Sequence, residues 1–90
     1  MTDKKAKQLM ESFKAGLNNV RFNDLKKLVE HYFGEGSSTG SHFIWSTGIE
    51  GNPLVNIQND KGKAKPYQVR QVLKLIESIE ATKEEKKDGK

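Results

Sequence analysis

The chain has 90 residues, enough for one modest core and too few for two. Only 33% of the residues are apolar, 31% are charged and none is cysteine, which excludes a disulfide framework and thiolate metal sites. No apolar run reaches the roughly 18 residues of a membrane span. The N-terminus has charge without an apolar segment, so a cytoplasmic protein without membrane partner or secretory signal is expected.

The first amphipathic segment covers residues 4–15. Ala6, Leu9, Met10 and Phe13 recur at i, i+3, i+4 and i+7, and Gly16 follows as a stop. After a turn at 17–19 and an extended link at 20–22, a second helix is expected with Asn23 as N-cap and Asp24 in the first turn. Its stripe is Leu25, Leu28, Val29 and Tyr32 or Phe33, and Gly34 ends it. His31 reads as an ordinary surface or boundary histidine on that helix.

The period then changes to two. Residues 33–37 form a weak strand candidate. Residues 42–47 form a better one, with Phe43 and Trp45 on one face and His42, Ile44 and Ser46 on the other. GIEGNP (48–53) reads as a turn, LVNIQ (54–58) as a third strand and residues 59–65 as a polar loop. Pro66 suits the first position of a last helix whose stripe is Val69, Val72, Leu73, Ile76 and Ile79. Beyond Glu80, ATKEEKKDGK should fray into a disordered tail. Helix, helix, three-stranded antiparallel meander and helix make an α+β fold with helices on one sheet face and the other face free.

The net charge of +4 is unevenly placed. From 80 to 90 four basic residues balance four acidic ones, so the excess lies before the tail. Residues 61–74 carry Lys61, Lys63, Lys65, Arg70 and Lys74 and no acidic residue. Such a cluster is the electrostatic footprint of an anionic partner such as nucleic acid, although solvated surfaces give similar runs.

Several chemistries drop out. His31 and His42 have no carboxylate at ligand spacing, so no metal site is expected. GEGSSTG (34–40) lacks the lysine and strand-to-helix context of a phosphate-binding loop. A Ser/His/Asp triad needs an acyl pocket that so small a fold seldom provides. Tyr32, Phe43, Trp45 and Tyr67 suit base stacking, but at this spacing aromatics are more often core. What remains is GSSTGSHFIWS (36–46), where a loop of glycines and hydroxyls becomes a strand at Ser41-His42. A side chain that titrates near neutral pH, held at the edge of a rigid element, suits proton transfer.

Three segments in order resemble the HicA toxins, small RNA-cleaving partners of bacterial toxin–antitoxin pairs. They are RFNDLKKLVEHYFG (21–34), GSHFIW (40–45) with the family's Gly-Ser-His motif, and NPLVNIQNDKGKAKPYQVRQVLKLIE (52–77). The resemblance implies a fold like the double-stranded-RNA-binding domain, α-β-β-β-α. It would span residues 20–79, with an extra N-terminal helical extension at 1–19 and the charged tail at 80–90. It further implies an endoribonuclease that cleaves mRNA without metal or other cofactor and is silenced by a HicB-like antitoxin. The family's catalytic histidine carries over to His42. Some members have a second histidine after the third strand; NIQND (56–60) has none, so that role does not transfer.

Cleavage at the 2′-hydroxyl of RNA needs a base, an acid for the 5′-oxygen and positive charge on the transition state. His42 suits base or acid, and candidates for a helper are Ser41, Lys63 and Lys65. Lys61, Lys63, Lys65, Arg70 and Lys74 are the expected RNA-binding residues. Two alternatives compete. One is a non-catalytic double-stranded-RNA-binding module, and the other a protein–protein interaction domain that meets its partner through Phe43, Trp45 and the free sheet face.

Overall fold

The computed structural model describes residues 1–88, and the side-chain environment of 1–51 and 54–82. Three helices, α1 (Asp3–Ala15), α2 (Phe22–Phe33) and α3 (Pro66–Asp88), accompany a four-stranded antiparallel sheet. Its strands β1 (Ser37–Thr39), β2 (His42–Ile49), β3 (Asn52–Asp60) and β4 (Lys63–Ala64) lie in the order β1-β2-β3-β4. The class is α+β, with one strand more than the sequence led us to expect. No helix among the described residues is long and apolar enough to cross a membrane.

Helix α1 starts where Thr2 Oγ1 accepts the Lys5 amide at 3.1 Å, with Asp3 in the first turn. Helix α2 starts one residue before the expected cap. Its N-cap is Arg21, which makes no side-chain capping bond, and Asn23 lies inside the first turn. The reason is tertiary: the orphan amide of Phe22 donates to the Gly62 carbonyl at 3.0 Å, so no side-chain cap is needed. In α3, Pro66 takes the first position, and the Lys65 carbonyl accepts the Gln68 and Val69 amides at 2.9 and 3.1 Å. Helix α3 continues to Asp88, past the Glu80 boundary of the expected tail. Ala, Lys and Glu, which dominate that stretch, are strong helix formers, and a helix already nucleated by packing extends through them. Residues 89 and 90 of the tail lie outside the described residues.

The expected loop at 59–65 is a hairpin. Lys61 (φ 54°) and Gly62 (φ 87°) both take the left-handed conformation between β3 and β4, as a two-residue hairpin turn requires. Asn59 Oδ1 steadies the turn by accepting the Gly62 amide at 2.7 Å. The far edge of β4 is closed by the link at 20–22. The Ala64 amide donates to the Val20 carbonyl at 2.9 Å, and Arg21 stands opposite Lys63. Beside β4, the outer edge of β3 is covered by a side chain: the Gln58 amide donates to Oε1 of buried Gln68 at 2.8 Å.

Register fixes the two faces of the sheet. Phe43 pairs with Ile57 and Trp45 with Val55, and these residues face the helices. His42 pairs with Gln58, Ile44 with Asn56 and Ser46 with Leu54 on the opposite face. One core joins Ala6, Met10 and Phe13 of α1 to Phe22, Leu25, Leu28 and Val29 of α2, to the sheet, and to Val69, Val72, Leu73, Leu75 and Ile76 of α3. Trp45 is its largest fully buried side chain, and its indole N–H donates to the Gly34 carbonyl at 2.8 Å. Gly36 lies against that ring: a Cβ there would stand 2.5 Å from Trp45 Cε2 and 2.8 Å from the Ile44 carbonyl oxygen.

Polar contacts hold the helices together at the surface. His31 Nε2 lies 2.9 Å from Asp3 Oδ1, and Lys14 Nζ lies 2.6 Å from Glu77 Oε2. Tyr32 donates its hydroxyl to Glu80 Oε1 at 3.0 Å. Burial, then the bond to Glu80 and that carboxylate's charge, then the charge of Asp3, push the phenol from 10.0 up to about 12. A raised folded-state value means that this contribution is complete below pH 10 and lost as pH rises towards 12. Urea unfolding midpoints should therefore fall more steeply across that window for the wild type than for Tyr32→Phe.

Candidate functional site

One end of the molecule gathers the start of β2, the β3–β4 hairpin, and the starts of α2 and α3. Ser41 and His42 belong there because the Asn59 amide donates to the Ser41 carbonyl at 2.8 Å, just before the hairpin turn. Both are exposed. His42 opens β2 between Thr39 of β1 and Gln58 of β3, on the helix-free face. Its Nδ1 lies 3.5 Å from Asn56 Oδ1, the outer limit for a hydrogen bond. An exposed, rigidly based imidazole is available to a substrate without rearrangement.

The hairpin carries the charge. Lys61, Lys63 and Lys65 line an open cleft of about 480 Å³ together with Asn18, Asp60, Ala64 and Pro66. Asp60 is the cleft's one acidic lining residue, so the local balance stays positive. The cleft ends at the N-terminus of α3, where helix polarity adds to the attraction for anions. Exposed Arg21, opposite Lys63 in the bridge beyond β4, joins the same cluster. Sequence reading passed over Arg21 because 42 positions separate it from Lys63 and only the closed sheet edge brings them together. Tyr67, 54% exposed in the first turn of α3, puts an aromatic ring next in sequence to Pro66 of the cleft.

The other expected binding residues are placed differently. Lys74 lines a separate groove of about 450 Å³ between β3 and α3, with Leu54, Asn56, Gln68 and Gln71 among its neighbours. That groove is slightly smaller than the lysine cleft and poorer in charge, and His42 is not among its lining residues. Arg70, exposed one turn into α3, is not among the residues that line the lysine cleft.

The aromatic residues do not form a docking surface. Trp45 is 1% exposed, and Phe43 is half-buried with its ring 5.0 Å from Phe22 and 6.3 Å from Trp45. Lys26 Nζ stands 4.9 Å from the Phe43 ring centroid. Phe43 and Trp45 do not share a surface with the free face, because alternation turns both rings towards the helices. The free face offers His42, Ile44, Leu54, Asn56 and Gln58 instead.

Among the described residues no group of three His, Cys, Asp or Glu side chains is arranged to hold a metal ion. Comparison with protein-family models, curated proteins and solved structures finds no match for the chain.

Proposed function

We propose that the protein is an RNA-cleaving toxin of the HicA type, with His42 as the proton-transfer residue and the hairpin lysines as the phosphate grip. The observation that carries this reading is an exposed histidine at the same end of the sheet as a cleft lined by Lys61, Lys63 and Lys65. The likeness of residues 21–34, 40–45 and 52–77 to HicA toxins agrees with it, and the observed helix, antiparallel strands and helix after α1 suit a double-stranded-RNA-binding-domain-like fold.

In this reading neutral His42 accepts the 2′-hydroxyl proton while the 2′-oxygen attacks the adjacent phosphorus. The new P–O2′ bond forms as the P–O5′ bond breaks, leaving a 2′,3′-cyclic phosphate and a 5′-hydroxyl. The leaving oxygen takes its proton from protonated His42 in a second binding mode, from a cleft lysine or from water. The cationic cluster offsets the charge that builds on the non-bridging oxygens. Because the RNA supplies its own nucleophile, the residues need activate no water.

The test is incubation of purified protein with RNA in excess chelator, beside a substrate with deoxyribose at the cleaved position. Cleavage of RNA alone, with cyclic-phosphate ends, is expected. RNA bound but left intact would instead identify a non-catalytic binding module, and a requirement for added magnesium would overturn the mechanism. Binding should be salt-sensitive, and Lys61→Ala/Lys63→Ala/Lys65→Ala should flatten the slope of log K against log salt by up to about 2–3. The antitoxin half of the proposal is checked separately: a neighbouring reading frame should encode a protein whose co-expression restores growth.

A further inference from the structure

The sequence gives His42 no assigned partner, but the sheet does. Register places Ile44 opposite Asn56 and His42 opposite Gln58, so Asn56 is the diagonal neighbour of His42 on the same face. Among the described residues, Asn56 supplies the hydrogen-bond contact of the His42 ring, through Oδ1 to Nδ1 at 3.5 Å.

We propose that Asn56 is a positioning residue that holds His42 as the Nδ1–H tautomer and leaves the Nε2 lone pair for the substrate proton. The catalytic part rests on the nuclease reading above, whereas the tautomer stands or falls without it. An amide oxygen only accepts, so the contact requires a proton on Nδ1. The second ring nitrogen is then unprotonated in the neutral imidazole, which is the form a general base needs. The free ring of histidine prefers the opposite tautomer, with the proton on Nε2, so a specific partner leaves a measurable signature. Hydrogen bonds of catalytic groups are often long before substrate arrives and tighten in the complex, which accommodates the 3.5 Å separation.

An amide also suits this place better than a carboxylate. Aspartate would orient the ring equally well, but its negative charge would stand beside His42, where the phosphate undergoing cleavage must lie in the proposed reaction. Asparagine fixes the ring without opposing the RNA.

The test uses two-bond ¹H–¹⁵N correlation spectra of the full-length protein with its histidines neutral. Wild type and Asn56→Asp are expected to show the Nδ1–H pattern for His42, and Asn56→Ala the Nε2–H pattern. On an oligoribonucleotide with one cut site, Asn56→Ala should lower kcat about tenfold with KM unchanged. Asn56→Asp should restore most of kcat and raise KM. An Nε2–H pattern in the wild type, which an amide turned by 180° would produce, overturns the inference. So does the same tautomer in wild type and Asn56→Ala. If His42→Ala is inactive while Asn56→Ala keeps full kcat, the positioning role falls alone. Cleavage by His42→Ala at the wild-type rate removes His42 from the reaction instead, and the spectra then judge the tautomer by themselves.

Discussion

Trp45→Ala is expected to cost roughly 3–5 kcal/mol of stability, a large part of the roughly 5–15 kcal/mol that holds a domain together. The ring is 1% exposed at the centre of the core, lies 6.3 Å from Phe43 and donates its N–H to the Gly34 carbonyl at 2.8 Å. Removing it empties the space between sheet and helices and releases the chain that leads from α2 into β1. For a domain of this size the melting temperature should fall by roughly 15–30 °C. Trp45→Phe, which keeps most of the volume and loses the hydrogen bond, should recover more than half of that.

Gly36 gives this prediction a sharper form. A Cβ at position 36 would meet Trp45 Cε2 at 2.5 Å and the Ile44 carbonyl oxygen at 2.8 Å. Gly36→Ala should then destabilise by about 1–3 kcal/mol, the usual cost of overpacking. In a Trp45→Ala background the ring contact is gone, so the penalty should shrink to what the Ile44 carbonyl imposes. A double-mutant cycle in urea measures that coupling. Independent, additive effects would show that Gly36 is not held by the ring.

His42→Ala should do the reverse, removing function while sparing the fold. The side chain is exposed on the helix-free face, so stability should change by no more than about 0.5 kcal/mol. Cleavage should fall by roughly 10²–10⁴-fold, the range of one positioned proton-transfer group. That loss equals about 3–5.5 kcal/mol of barrier. Under the proposed function, expression without antitoxin should read the same effect as growth: wild type is expected to arrest the culture and His42→Ala to let it grow. A folded His42→Ala protein that still arrests growth would remove His42 from the reaction.

The local pattern of this chain was largely readable, because each helix carries a single apolar stripe and β2 alternates cleanly. Pro66 at the start of α3 follows from ring geometry, and the period alone puts Phe43 and Trp45 on one face, whereas the turn of that face towards the core needs the helices in place. What stayed hidden depends on contacts distant in sequence. Asn23 looked like the cap of α2 because no sequence rule shows that Gly62 will satisfy the Phe22 amide. The 59–65 segment reads as a loop because Lys61 is an uncommon residue for a left-handed turn position. The candidate site divides in the same way. His42 and the lysines stand out as residue types, whereas Arg21 and Asn56 enter only once sheet order and register are known.

The hairpin tip has a consequence for any effort to improve the protein. Lys61 holds φ at 54°, a conformation that costs a lysine about 1–2 kcal/mol and that asparagine or glycine adopts readily. With Lys61 as the proposed RNA grip, robustness and function oppose one another at this position. A library sorted by heat resistance alone should drift towards asparagine or glycine there and lose its hold on RNA. One sorted on RNA retention should keep the lysine and its strain.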